Sequence, residues 1–315
     1  TAVGLAPVRR KNCIGLISGA VVAPGVTAMA ISILISSTLS AQTNPPQTPW
    51  GAPDLQGIWN HGTATPLERQ EEHAGQSQLT DEQIEEVNNT QRRADGANAR
   101  RATWWERGLS DGRTSMITDP PDGRIPYTAT AVDRLRGQQE RLANKPEDRN
   151  LFERCISSGV PRLGGIYAQN IHIAQTPDHV LLLHEMIHEF RIIPLDGRPH
   201  LPTSVQQWLG DSRGRWEGDT LVVETANFDA QQQFRGLSQQ SMHLTERFTR
   251  VDADTLRYEV TFEDATTWTQ PWSATLLMPP TNGPMFEFAC HEGNVGMTAV
   301  LETARFEETQ RDGLR

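Results

Sequence analysis

The richest supply of side chains able to do chemistry lies in one stretch, Asn170 to His200, NIHIAQTPDHVLLLHEMIHEFRIIPLDGRPH. It contains a literal HExxH string from His184 to His188. On a helix, the two imidazoles of such a string fall on one face and can share a zinc ion while the intervening Glu acts as general base. Thr176 and Pro177 supply a cap and a first turn for that helix. Three features argue against it: Glu189 sets a charge directly after the second His, no third ligand follows within a helix and a turn, and the segment is poor in Ala, Lys and Gln. An extended reading fits better. Val180, Leu182, His184, Met186, His188, Phe190 and Ile192 then face one way, and Leu181, Leu183, Glu185, Ile187, Glu189, Arg191 and Ile193 the other. The expectation is one long strand, bracketed by Ile171-His172-Ile173 and the Asp196-Gly197 turn in a hairpin or meander.

Read this way, the stretch offers acid–base chemistry. Histidine titrates near neutrality, a carboxylate beside it fixes its tautomer and raises its basicity, and an arginine can stabilise an oxyanion. The candidate catalytic residues are Glu185, His188, Arg191 and His200, with Asp211 and His291 as further partners. No organic cofactor is called for. A second version places a divalent metal among His172, His184, His188 and His200. Cross-strand charge pairing and hydrogen-bonded core histidines would account for the same residues without any site. The expected function is a secreted enzyme, a lyase, isomerase or hydrolase, acting on a small organic or carbohydrate-derived substrate. The alternatives are a periplasmic ligand-binding barrel without catalysis and a zinc-dependent HExxH hydrolase.

The elements that must hold these residues are mostly strands. Arg213–Trp216 and Thr220–Thr225 flank the turn Glu217-Gly218-Asp219, and Leu244–Val251 and Thr255–Phe262 flank Asp252-Ala253-Asp254. Leu256, Tyr258, Val260 and Phe262 alternate with Arg257, Glu259 and Thr261. Ser273–Met278 and Met285–Cys290 end the series around a Pro279–Gly283 loop. With Gly57–Trp59 this makes eight to ten short antiparallel strands, mainly β, in a lipocalin-like barrel or a sandwich. Residues 66–150 are charged and punctuated by Gly and Pro, and read as an irregular helical insertion. Within it, Thr80 to Asp95 carries a capping box through Thr80 and Gln83, and Ala131 to Ala143 is a second helix. Trp104-Trp105 packs the insertion onto the sheet or covers a ligand mouth.

Residues 1–41 run from Arg9-Arg10-Lys11 through the apolar stretch Ile14–Leu39 to small residues, the order of a secretory signal peptide. Residues 42–53 form a proline-rich linker, and 54–315 a single domain with its insertion. The chain should be exported, periplasmic or extracellular, in a bacterium, with no stable membrane insertion after cleavage. Its formal charge of −10 becomes −13 once the three signal cations are gone, which excludes nucleic acid as a partner and leaves a small molecule. Outside the signal, Cys155 and Cys290 form an even pair in an exported chain and are expected to be disulfide-bonded.

Gly57-x-Trp59 resembles the opening strand of lipocalin-like barrels. As a set, the blocks PWG-x-PDLQGIW, ERCISSG, HEMIHEFRIIPLDGRPH, GDSRGRWEGDTLVVET, TERFTRVDADTLRYEVTFED and CHEGN resemble a family of secreted bacterial β-rich proteins of unassigned activity, over about residues 48–305. That resemblance implies a β-rich exported protein and transfers no catalytic residue.

Overall fold

The computed structural model describes residues 46–98, 108–165 and 167–313, without the side chains of 94–98 and 312–313. The signal peptide, the first linker residues and Trp104-Trp105 lie outside the described residues.

In chain order the strands are β1 (Gly57–Asn60), β2 (Ile117–Asp119), β3 (Asn170–Gln175), β4 (His179–His184), β5 (Phe190–Pro194), β6 (Asp211–Glu217), β7 (Thr220–Ala226), β8 (Gln233–Phe234), β9 (Leu237–Ser238), β10 (His243–Arg250), β11 (Leu256–Glu263) and β12 (Trp272–Met278). The helices are α1 (Asp81–Asn98), α2 (Ala129–Arg141) and α3 (Gly296–Gly313). A four-stranded antiparallel sheet runs β1-β3-β4-β5, and a six-stranded one runs β2-β12-β11-β10-β7-β6. The protein is mainly β and antiparallel, with few helices, and its described strands do not close into one continuous barrel.

Alternation builds this core. Leu244, Glu246 and Phe248 of β10, and Leu256, Tyr258, Val260 and Phe262 of β11, all turn inward, against Ile171, Ile173, Val180, Leu182 and Ile193 of the smaller sheet. Trp59 is fully buried, donates its indole N–H to Leu55 O at 2.9 Å, and carries the Arg250 guanidinium 5.2 Å above its ring. One seam between the sheets is stitched: Asn60 N donates to Pro279 O at 2.8 Å, and Thr281 N donates to Ile58 O at 2.8 Å.

At the opposite seam β5 and β6 meet without a ladder. Gly214 makes that approach possible, since a Cβ there would stand 2.7 Å from Leu195 Cδ2 and 2.8 Å from Ile193 Cγ2. Ile193 is fully buried and branched at Cβ, so its methyl cannot swing aside. Gly214→Ala should therefore cost about 1–3 kcal/mol, measured by urea unfolding. Wild-type stability in that variant would mean that the seam yields.

Both hairpins anticipated on the β6–β7 and β10–β11 segments form, in continuous register. The capping box opens α1: Gln83 N donates to Thr80 Oγ1 at 3.3 Å, and Thr80 N donates to Gln83 Oε1 at 2.9 Å. Three expectations are corrected. Met285–Cys290 is not a strand, and α3 follows it. The insertion is not wholly helical, because β2 pairs with β12 as an edge strand. The long strand through HExxH is two strands, β4 and β5, joined by a tight turn over 185–189 that includes a single 3-10 turn. Among the described residues no helix is long and apolar enough to cross a membrane.

Candidate functional site: a buried histidine and arginine cluster

The turn between β4 and β5 reorganises every residue of the HExxH string. Ile187 and His188 take positive φ of 56° and 45°, reversing the chain, and His184 N donates to Glu189 O at 2.8 Å. A continuous strand would have pointed His184 and Arg191 to opposite faces. The turn instead pairs Leu182 with Arg191 and brings both His184 and Arg191 inward.

These two residues line a cavity of ≈ 10 Å³ between the sheets, the room one water needs. Its other walls are His61, Arg162, Ile171, Glu246, Phe248, Tyr258 and Met278. Arg191 forks onto Glu246, with Nη1 to Oε2 at 2.6 Å and Nη2 to Oε1 at 2.9 Å, and Tyr258 OH donates to Oε1 at 2.8 Å. Such bidentate charged bonds are roughly twice as strong as neutral ones. Burial alone would lower the Arg191 pKa, but the Glu246 carboxylate more than offsets it. Tyr258 is held well above its ordinary range by burial and by the same carboxylate, so its hydroxyl stays a donor.

The rest of the cluster is unsatisfied. His61 and His184 are 2% and 6% exposed, their rings meet edge to face at 6.0 Å, and none of their four ring nitrogens has a hydrogen-bond partner among the described residues. Arg191 Nε is likewise unpartnered. Burial, helped by the Arg162 charge, lowers the His61 pKa to about 3. For His184, burial acts with His61, Arg162 and Arg191 to push the pKa well below the usual value. Both rings are neutral. Arg162 is the cavity wall that reaches solvent; burial lowers its pKa to about 10, against the pull of Glu189. It makes no hydrogen bond or ion pair among the described residues, and Glu189 Oε2 accepts instead from Ser158 N at 2.9 Å and Ser158 Oγ at 2.6 Å.

The depressed histidines set a pH dependence. Their folded pKa values lie below the ordinary 6.5, so between the two values the unfolded chain binds the protons. Stability is therefore full above about pH 6.5 and is lost as pH falls towards 3, at up to about 1.4 kcal/mol per pH unit for each ring. Melting temperature followed from pH 7 to pH 4 should fall less steeply in His184→Leu than in wild type. Equal slopes would contradict the burial of a neutral imidazole.

The remaining sequence candidates separate. Glu185 is buried but serves the turn, accepting from Asn170 Nδ2 at 2.7 Å and Phe286 N at 3.1 Å. His188 is exposed on the turn, and His291 is exposed in the segment before α3. Of the catalytic set, Arg191 alone lines the cavity. The four-histidine metal set is corrected as well. His172 is paired with Leu183 and turns to the outer face of the sheet, His184 turns inward, His188 sits on the turn, and His200 belongs elsewhere. Among the described residues no group of three or more His, Cys, Asp or Glu is arranged to hold a metal ion. HExxH on a reversing turn cannot present two imidazoles on one helical face, which removes the zinc-hydrolase geometry.

His200 and Asp211 do come together, away from the cavity. His200 Nδ1 lies 3.0 Å from Asp211 Oδ2, which also accepts from Leu201 N at 2.8 Å, while Arg213 Nη1 donates to Oδ1 at 2.6 Å. His200 Nε2 has no partner among the described residues, and the His243 ring stands edge-on at 6.2 Å. Cys155 and Cys290 are disulfide-bonded across 135 residues. Cys290 packs against the small cluster of Ala168, Met186 and Ile187, together with Phe152, Tyr167 and Phe288.

His61, Arg162, Glu246 and Tyr258 were missed in the sequence. One signal was there: Glu246 is the charge at an inward position of the alternation Leu244, Glu246, Phe248. No local pattern marks His61 or Arg162.

No protein-family model matches the chain, and no curated protein matches it. Among solved structures, a crystal structure of a single-substitution mutant of the fluorescent protein UnaG is similar at 13% identity, covering 36% of this chain and 72% of that one, with a TM-score of 0.23.

Proposed function

We propose that this chain is a small-molecule-binding protein of lipocalin-like architecture, exported to an oxidising compartment, whose interior His61–His184–Arg162 cluster anchors the ligand. The observation that carries the reading is that five buried nitrogens without partners belong to residues lining one cavity. Buried polar groups are nearly always hydrogen-bonded, and each one left unmade costs about 1–3 kcal/mol. A core built only for packing would fill these positions with apolar side chains, whereas these convergent donors suit the polar end of a ligand. The disulfide supports export. Native mass spectrometry of gently purified protein tests the reading. The expected result is a mass above that of the polypeptide, released on denaturation. A bare polypeptide mass, with no melting shift across a panel of small acids, alcohols and sugars, would contradict it.

A second reading keeps acid–base catalysis, on a small organic or carbohydrate-derived substrate, at His200 and Asp211. A carboxylate on Nδ1 and an unpartnered Nε2 is the arrangement of a general base. If it holds, His200→Ala should stay folded and lose ~10²–10⁴-fold in turnover on whichever ester or glycoside the protein hydrolyses.

A further inference from the structure

We infer that the interior site takes a small monoanion, with one oxygen of a carboxylate entering the space between His61, His184 and Arg162; this rests on the small-molecule-binding reading. The charge arithmetic points there. Arg191 and Glu246 neutralise each other through two hydrogen bonds, and Tyr258 donates to the same carboxylate, so this trio adds no net charge. The two imidazoles are neutral, since burial holds both far below the range in which they would protonate. What remains on the cavity wall is the Arg162 cation, which feels the Glu189 carboxylate but forms no ion pair among the described residues. Glu189 offsets part of the cost of enclosing that cation without bonding to it, and a ligand that brings one negative charge into contact with the guanidinium offsets the rest.

Donor chemistry agrees with the charge. A neutral imidazole offers one N–H, so His61 and His184 supply two donors, Arg191 Nε a third, and the Arg162 fork the rest. Among these unpartnered groups the only acceptors are the second imidazole nitrogens. A carboxylate is an acceptor-only group with about four lone-pair sites, which matches this set. An ammonium ligand would meet Arg162 with like charge. A dianion would bring one charge more than the wall can compensate. Size adds a limit: the cavity holds one water-sized atom, and every wall except Arg162 is buried. The acid's tail must therefore leave along Arg162, the one lining residue that is not fully buried.

The test is calorimetric titration of the full chain with three probes of one shape, benzoate, benzyl alcohol and benzylamine, on wild type, Arg162→Gln and Arg162→Lys. The expected result is binding of benzoate alone, weakened roughly 10–100-fold by Arg162→Gln and partly restored by Arg162→Lys, with unchanged circular dichroism in all three proteins. Arg162 is partly buried, and the circular dichroism of each variant separates a loss of folding from a loss of binding. Benzyl alcohol binding as tightly as benzoate, with Arg162→Gln indifferent, would overturn the anion assignment and leave the binding reading standing. Failure of all three probes, on protein that also carries no small molecule by mass spectrometry, would overturn both.

Discussion

Glu246→Gln should destabilise the protein by roughly 3–5 kcal/mol, because it strips the charge from a buried pair and leaves the Arg191 guanidinium uncompensated in the core. Both side chains of the pair are almost wholly enclosed, at 4% and 2% exposure. The substitution keeps size and shape, so no packing defect explains the loss. Chemical denaturation with a two-state fit measures it. The double variant Arg191→Met with Glu246→Leu should recover most of the loss, since replacing a whole buried pair by apolar groups is often close to neutral. A surface pair supplies the contrast. Arg215 and Glu224 meet at 2.8 Å in the open, and Glu224→Gln should move stability by no more than about 1 kcal/mol. A small effect from Glu246→Gln would mean that Arg191 finds another partner, and the electrostatic account of the core would be wrong.

Removal of the disulfide by Cys155→Ser with Cys290→Ser should cost about 4–5 kcal/mol on the chain-entropy estimate for a loop of this length. The loss should be local before it is global. The bond ties the coil ahead of α3 to the segment around Phe152, and Glu185 binds the β4–β5 turn to Phe286 N of the same coil. Hydrogen exchange should therefore rise first in 285–295 and in the 185–189 turn, while β10 and β11 stay protected. Uniform loss of protection, with no early opening of the turn, would show that the bond supports the whole core instead.

The two hairpins of the large sheet could be read from the chain because turn residues and period-two alternation agree there: Glu217-Gly218-Asp219 and Asp252-Ala253-Asp254 punctuate clean alternating strands. The turn at 185–189 could not. It contains no Gly, Pro, Asn or Asp, and it sets a β-branched residue, Ile187, at positive φ, where such residues are rare. Alternation read straight through it assigns Arg191 to the wrong face. The cavity was illegible for a different reason. His61 follows β1, Arg162 lies in a loop, and Glu246 and Tyr258 come from the other sheet, so the site exists only once both sheets have packed. The His200–Asp211 contact was within reach of sequence reasoning, because a loop returning directly into β6 keeps the two close along the chain. Cysteine parity carried the disulfide.

The most direct measurement is the electron density in the cavity between His61, His184 and Arg162, from crystals of protein purified without denaturation and without added organic acids. The account predicts density larger than a water, bonded to Arg162 and to at least one imidazole nitrogen and extending towards solvent along the arginine. A single spherical water satisfying the imidazoles, with Arg162 swung out to bulk solvent, would contradict it and make the cluster a hydrated core.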